Sequence, residues 1–394
     1  MNVLSERVTH AFHNRFGDEH ILVRSPGRVN LIGEHTDYNE GFALPAAIDN
    51  CIILAINVNH TNKVRFYAID KGESYEADIS DALTKSDLGW PNYLLGVIDQ
   101  LSAHGYECPG FDCVFGGNVP IGAGLSSSAA LEGGILYGLN QRMQWDIDPV
   151  QMAHIAQKAE NQFVGVQCGI MDQFASLMGK KDHVMRLDCR SLDYEFYPFE
   201  RQDLYIVLCD TQIRRELASS EYNVRRQQCE TGVQKLQQYD AGIKSLRDVT
   251  TPFLEEHKDD LSPVIYERCR YIIEENQRVL DACANLQKND WLAFGKLMYA
   301  SHNGLRDQYE VSCKELDILV ELAARQKGVL GARMMGGGFG GCTINLVEEK
   351  YFDTFKEEMK QKYTRQTDRQ IKVYQTRVSP GTHLIEPQKM ETKQ

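Results

Sequence analysis

The chain has 394 residues, 42% of them apolar and 25% charged, the balance of an ordinary globular protein. With 43 basic against 55 acidic residues it carries a net charge of -12. That excludes the basic surface needed to bind nucleic acid or anionic membrane non-specifically, but not a phosphate site built from backbone N–H groups and local cations. The length exceeds what one hydrophobic core usually supports, so two lobes are expected, divided as residues 1–180 and 181–394.

In chain order, Leu4, Val8, Phe12 and Phe16 recur every four residues and predict an amphipathic helix, with no apolar stretch of the secretory kind. Strands are expected at Ile21–Ser25 and at Cys51–Val58. The second is the longest apolar run and far short of the ~20 residues of a membrane span. A helix begins at Ser126 or Ser127 and carries the stripe Leu131, Ile135 and Leu139. Another covers Asp148–Val164, with Asp148 as cap, Pro149 in the first turn and Gly165 as stop. Residues Met178–Asp188 read as polar and turn-like. Strands such as Leu204–Cys209 then alternate with long helices such as Pro263–Leu286, and the tail after Glu386 is expected to fray. The eleven cysteines are scattered without a Cys-x-x-Cys pair, as in a reduced cytoplasmic protein, and Cys108 and Cys113 lack the companions of a zinc site.

Three segments concentrate chemistry. Arg28, Glu34, His35 and Asp37 crowd ionisable groups into ten residues of GRVNLIGEHTDYN. Such a loop is either solvated and salt-bridged or suited to a polyhydroxy ligand, whose hydroxyls pair with carboxylate, imidazole and guanidinium. Next, GGNVPIGAGLSSSAA places glycines and serines before a helix, as in a phosphate cradle or a plain capped turn. It lacks the Gly-Lys-Ser/Thr of a Walker A loop, and the protein-kinase motifs are absent as well. Last, GGGFGG at 336–341 puts five glycines in six positions, which suits close backbone approach better than packing.

In this order and spacing the segments resemble the three motifs of the GHMP small-molecule kinases, the first being similar to the galactokinase signature. AENQFVGVQCGIMDQF (159–174), SSEYNVRRQQCE (219–230) and SHNGLRDQYEVSCKELD (301–317) extend the resemblance over about residues 15–385. It implies a two-lobed α/β (α+β) fold with the active site in the cleft between lobes. Asp172 would be the catalytic carboxylate, with Arg28 beside it. Arg28, Glu34, His35, Thr36, Asp37, Gly169, Asp172 and Tyr222 would hold the sugar. Gly122, Ala123, Gly124, Leu125, Ser126, Ser127 and Ser128 would cradle ATP, with Trp90 flanking the adenine. Ser128 and Glu160 would ligate Mg2+. The implied partners are galactose and MgATP, for a monomer acting on neither nucleic acid nor membrane. A sibling kinase for N-acetylgalactosamine, arabinose or fucose, or a sugar and ATP sensor without turnover, remain the competing readings.

Overall fold

The computed structural model describes residues 3–120, 124–213 and 218–386. The first part is built on a six-stranded sheet in the spatial order His383–Leu384, Ile21–Asn30, Pro45–Val58, Phe111–Gly117, Lys63–Ala68 and Glu73–Asp78. Its neighbours are antiparallel except Lys63–Ala68, which runs parallel to Phe111–Gly117. The strand Pro45–Val58 is buried on both faces, which explains its unbroken apolar run. Cys51, Ile53 and Ala55 meet Leu4, Val8 and Phe12 of the helix Val3–Phe16. Ile52, Leu54 and Ile56 face the main core, under the helix Ser127–Met143.

The strand expected to stop at Ser25 continues to Asn30, with a shift of register between Pro26 and Arg28. A Cβ on Gly27 would lie 2.6 Å from the Leu125 carbonyl, so at that bend the backbone touches the serine loop. The segment Met178–Asp188 is corrected: a helix ends at Met178, and His183–Asp188 is a strand. It pairs with Phe42–Ala43 on one side and Tyr194–Pro198 on the other, burying Val184, Met185 and Leu187. The helix from Pro149 is α-helical only to Lys158 and continues to Val164 as a π-turn. Asp148 caps it by accepting from the N–H groups of Val150 and Gln151, and Gly165 closes it at φ 93°.

The second half carries a four-stranded antiparallel sheet ordered Val329–Met335, Cys342–Glu348, Leu204–Asp210 and Lys372–Thr376. The helices Ala218–Leu236 and Pro263–Gln287 contribute to a separate apolar cluster around Tyr271, Tyr309 and Phe339. The chain then returns to the first sheet, where the Ile385 N–H donates to the Leu22 carbonyl at 2.8 Å. Among the described residues no helix is long and apolar enough to cross a membrane. The expected frayed tail after Glu386 lies outside the described residues.

Candidate active site

The loop after the strand Ile21–Asn30 is fixed by bonds to its own backbone and to a distant helix. The Gly33 N–H donates to Glu275 Oε1 at 2.9 Å, and the Phe42 N–H to Asn276 Oδ1 at 2.9 Å. Glu275 is fully buried, and also accepts from the Ser301 hydroxyl at 2.6 Å and from Arg278 Nε at 2.6 Å. Thr36 spends its hydroxyl on the carbonyls of Gly33 (2.9 Å) and Phe42 (2.7 Å). It therefore ties the loop together rather than facing the cleft, in contrast to its neighbours Glu34, His35 and Asp37, which line it.

Glu34 accepts at one oxygen from Arg333 Nη2 (3.0 Å) and the Gly336 N–H (2.9 Å). Burial pushes its carboxyl up, but the guanidinium and the N–H more than reverse this, leaving it below the ordinary value. Arg333 is completely buried, donating also to the carbonyls of Leu31, Asn30 and Met334. The glycine-rich turn after it is ordered by close approach. A Cβ at Gly338 would stand 2.1 Å from the Val311 carbonyl and one at Gly340 2.5 Å from that of Ile213. Gly336 and Gly337 thereby form one wall of the cleft.

Asp172 lies in the first turn of the helix Met171–Met178, whose Phe174 and Leu177 are buried. Arg28 holds its carboxylate with both arms, Nε to Oδ1 at 2.6 Å and Nη2 to Oδ2, and the Ser126 hydroxyl also donates to Oδ2. Arg28 reaches the Gly124 carbonyl through its other nitrogen. Burial pushes the guanidinium down, yet the Asp172 carboxylate leaves it raised above its ordinary value. Arg28, Glu34, His35, Asp37, Gly169, Asp172 and Tyr222 line one cleft of about 550 Å³.

Gly169 lies close against Asp37: a Cβ there would meet Asp37 Oδ2 at 2.1 Å and displace that carboxylate. Burial raises the Asp37 carboxyl to about 6, with the Asp172 charge adding to the effect. The Tyr222 ring stands 5.3 Å from that of His35 and 5.2 Å from that of Tyr38. Burial lowers the His35 imidazole to about 4 against the pull of Glu34, so the ring is neutral near pH 7.

A second cavity of about 510 Å³ opens beside the first and is mainly apolar, lined by Ile52, Ala68, Trp90, Tyr93, Phe115 and Leu131. Trp90 is held in place by donating its Nε1–H to Glu73 at 2.7 Å. Ser127 and Ser128 lie at the mouth of this cavity, while Ser126 touches Asp172, so three consecutive serines join the two spaces. Gly122 and Ala123 lie outside the described residues; Gly124 and Leu125 complete the loop, and the Arg28 N–H donates to the Leu125 carbonyl at 3.1 Å.

Among the described residues no cluster of three or more His, Cys, Asp or Glu could hold a metal by itself, but Ser128 and Glu160 offer hard oxygens that suit a divalent cation completed by phosphate. Ser128 bonds the Glu160 carboxylate, which is buried in the π-turn, where burial and then the Asp172 charge raise it. Gln173 Nε2 donates to Glu160 at 3.0 Å and to Glu132 at 3.5 Å, and Glu132 Oε1 has no partner. After burial, the Glu160 and Asp172 charges raise the Glu132 carboxyl, and Asp172 raises that of Glu160, a crowding that a cation would relieve while taking one or two protein oxygens and otherwise phosphate. The sequence reading missed Glu132 and Gln173 here, and Arg333 and Glu275 beneath the loop that carries Glu34 and His35. For Arg333 the signal was present, a lone cation inside the strand Val329–Met335.

Family models match over much of the chain: the galactokinase galactose-binding signature at residues 10–58, the GHMP kinase N-terminal domain at 92–180 and the GHMP kinase C-terminal domain at 282–365. The galactokinase of Roseiflexus sp. is 43% identical over 95% of both chains. That of Clostridium acetobutylicum is 42% identical over 98% of this chain and 99% of its own. The crystal structure of Lactococcus lactis galactokinase complexed with galactose superposes with a TM-score of 0.90 at 35% identity, covering 96% of this chain and 99% of that one. Methanococcus jannaschii mevalonate kinase shares the fold alone, at 18% identity and a TM-score of 0.63 over 92% of this chain and 99% of that one. Matching a signature that contains Arg28, Glu34, His35 and Asp37, and relatives along nearly its whole length, the chain belongs to the galactokinase family of GHMP kinases.

Proposed function

We propose that the protein is a galactokinase, transferring the γ-phosphoryl group of ATP to O1 of α-D-galactose to give galactose 1-phosphate and ADP. The observation that carries this reading is the Arg28–Asp172–Ser126 constellation where a polar cleft meets an apolar cavity. The sugar lies in the cleft against Glu34, His35, Asp37, the Gly169 backbone and Tyr222, and adenine lies beside Trp90. Asp172 accepts the proton of the O1 hydroxyl as that oxygen bonds to the γ-phosphorus and the bond to the ADP oxygen breaks. Arg28 holds Asp172 through both arms of its guanidinium and faces the charge on the moving phosphoryl group. The Ser126–Ser128 run and the N-terminus of the helix Ser127–Met143 receive phosphate oxygens. Ser128 and Glu160 would hold Mg2+, which when bound neutralises phosphate charge.

An ADP-release assay across free sugars, with the product's phosphate located by NMR, tests this. Galactose-dependent release with phosphate at the anomeric carbon is expected. Preference for N-acetylgalactosamine, arabinose or fucose would assign a sibling kinase, and sugar binding without turnover would assign a sensor. We further read the chain as a monomer with lobes 1–180 and 181–394, apart from the strand His383–Leu384 that returns to the first sheet, and as cytoplasmic, in keeping with its free cysteines.

A further inference from the structure

A chain of polar side chains runs inward from the sugar cleft. His35 Nδ1 lies 2.8 Å from the Tyr38 hydroxyl, which lies 2.7 Å from the Tyr309 hydroxyl, which lies 3.2 Å from Cys229 Sγ. His35, Tyr309 and Cys229 are at most 4% exposed. The four groups come from three places: the sugar loop, the turn after the helix Trp291–Asp307, and the helix Ala218–Leu236 that also carries Tyr222. The other imidazole nitrogen, Nε2, is buried on a residue lining the cleft and among the described residues has no partner at full hydrogen-bond geometry, although the Gly337 backbone lies near enough to raise the imidazole.

The proton order along this chain decides what His35 offers. If Nδ1–H donated to Tyr38, each hydroxyl would donate onward and the last proton would rest on a thiol sulfur, a weak acceptor. In the opposite order Cys229 S–H donates to Tyr309, Tyr309 to Tyr38, and the Tyr38 phenol to imidazole Nδ1. That pairs the best donor with the best acceptor and uses sulfur only as a donor. A neutral ring then carries its proton on Nε2, and the imidazole is neutral at working pH.

We propose that Tyr38 and Tyr309 are positioning residues that lock His35 as the Nε2–H tautomer, making it a hydrogen-bond donor to a sugar hydroxyl. The proposal rests on the galactokinase reading for the identity of the ligand, though the tautomer itself does not depend on it. Beside Asp37, which only accepts when ionised, a fixed donor lets the site demand a hydroxyl that both gives and receives. The Tyr38–Tyr309 pair also couples the loop to the helix bearing Tyr222, so the tautomer and the ring wall are set together.

Selective 15N labelling of histidine, read by long-range 15N–1H correlation on the sugar-free protein, tests the tautomer directly. The His35 signal should show protonation at Nε2 alone in the wild type and mixed tautomers in Tyr38→Phe and Tyr309→Phe. Each variant should raise the galactose KM about 3- to 10-fold, the worth of one neutral hydrogen bond, with kcat and the ATP KM unchanged. An Nδ1–H ring in the wild type, or tautomers and galactose KM unmoved by Tyr38→Phe, would overturn the relay, and the wild-type spectrum can overturn it even if both variants misfold. A wild type that holds the Nε2–H ring but turns over no galactose supports the relay and removes the galactokinase reading instead.

Discussion

Replacing Arg333 with methionine isolates the buried pair beneath the sugar loop. Arg333 is fully buried and gives hydrogen bonds to the carbonyls of Leu31 (2.7 Å), Asn30 and Met334 (2.5 Å each) as well as to Glu34. Methionine is of similar length but donates nothing, so Glu34 keeps only the Gly336 N–H and remains buried as an uncompensated charge. Breaking one side of such a pair costs about 3–5 kcal/mol, a large part of the roughly 5–15 kcal/mol that holds a domain folded. The loss should depend on pH. In the wild type the folded Glu34 carboxyl sits below its unfolded value, so its stabilisation is present above that value and fades as pH falls through the folded one. In Arg333→Met, desolvation without the cation raises the folded carboxyl, and ionisation at neutral pH opposes folding. The wild-type contribution is nearly constant between pH 7.5 and pH 5, so the raised carboxyl of the variant makes the gap between the proteins widest near pH 7.5 and narrower near pH 5. Urea unfolding followed by tryptophan fluorescence at the two pH values measures it, and adding Glu34→Gln to the variant should recover part of the loss. A gap below about 1 kcal/mol, or one equal at both pH values, would refute the reasoning.

Asp172→Asn should leave galactose binding by calorimetry largely intact while lowering kcat by about 10²–10⁴-fold; near wild-type turnover would reduce Asp172 to a helix-end acid. Ser128→Ala and Glu160→Gln should each raise the Mg2+ concentration for half-maximal rate, read in parallel with Mg2+-dependent nucleotide binding, and an unchanged requirement in both would deny them the cation. Gly169→Ala pushes a methyl into the Asp37 carboxylate, so the galactose KM should rise at least about tenfold; an unaltered KM would mean Asp37 does not touch the sugar. Burial raises the folded Asp37 carboxyl to about 6, so its ionisation costs stability as pH rises through that value. Asp37→Asn should therefore raise Tm more at pH 8 than at pH 5 while weakening galactose binding, and an equal shift at both would contradict the assignment.

What could be read from the sequence was what neighbours in the chain decide. Asp148, Pro149 and Gly165 act within one turn of their own backbone, and they bound the helix where expected. The change from α to π geometry at Ala159 has no such local mark, although it is the turn that buries Glu160. Strand ends were misjudged wherever the partner lay elsewhere. Pro26 and Gly27 look like a stop after Ser25, but pairing of Arg28–Asn30 with Pro45–Ala47 carries the strand through the register shift. The polar run Lys180–His183 likewise obscured the strand His183–Asp188, whose partners include only two residues of the sugar loop's far end. The candidate site divides along the same line. Glu34, His35 and Asp37 stand out because charge clustered next to glycine is costly without a purpose, whereas Asp172, a lone acid opening a short helix, is singled out only by the family resemblance. Arg333 is separated from Glu34 by 299 residues and sits among apolar neighbours, so no local pattern joins them. Yet a guanidinium in the middle of a buried strand must find an anion and carbonyls to satisfy five donors. In this chain that demand can be met only at a place offering both, and the loop carrying Glu34 with the buried strand-end carbonyls of Asn30 and Leu31 supplies them. The cation thus fixes the sugar loop to the glycine-rich turn, which is why two motifs far apart in the chain form one wall of the cleft.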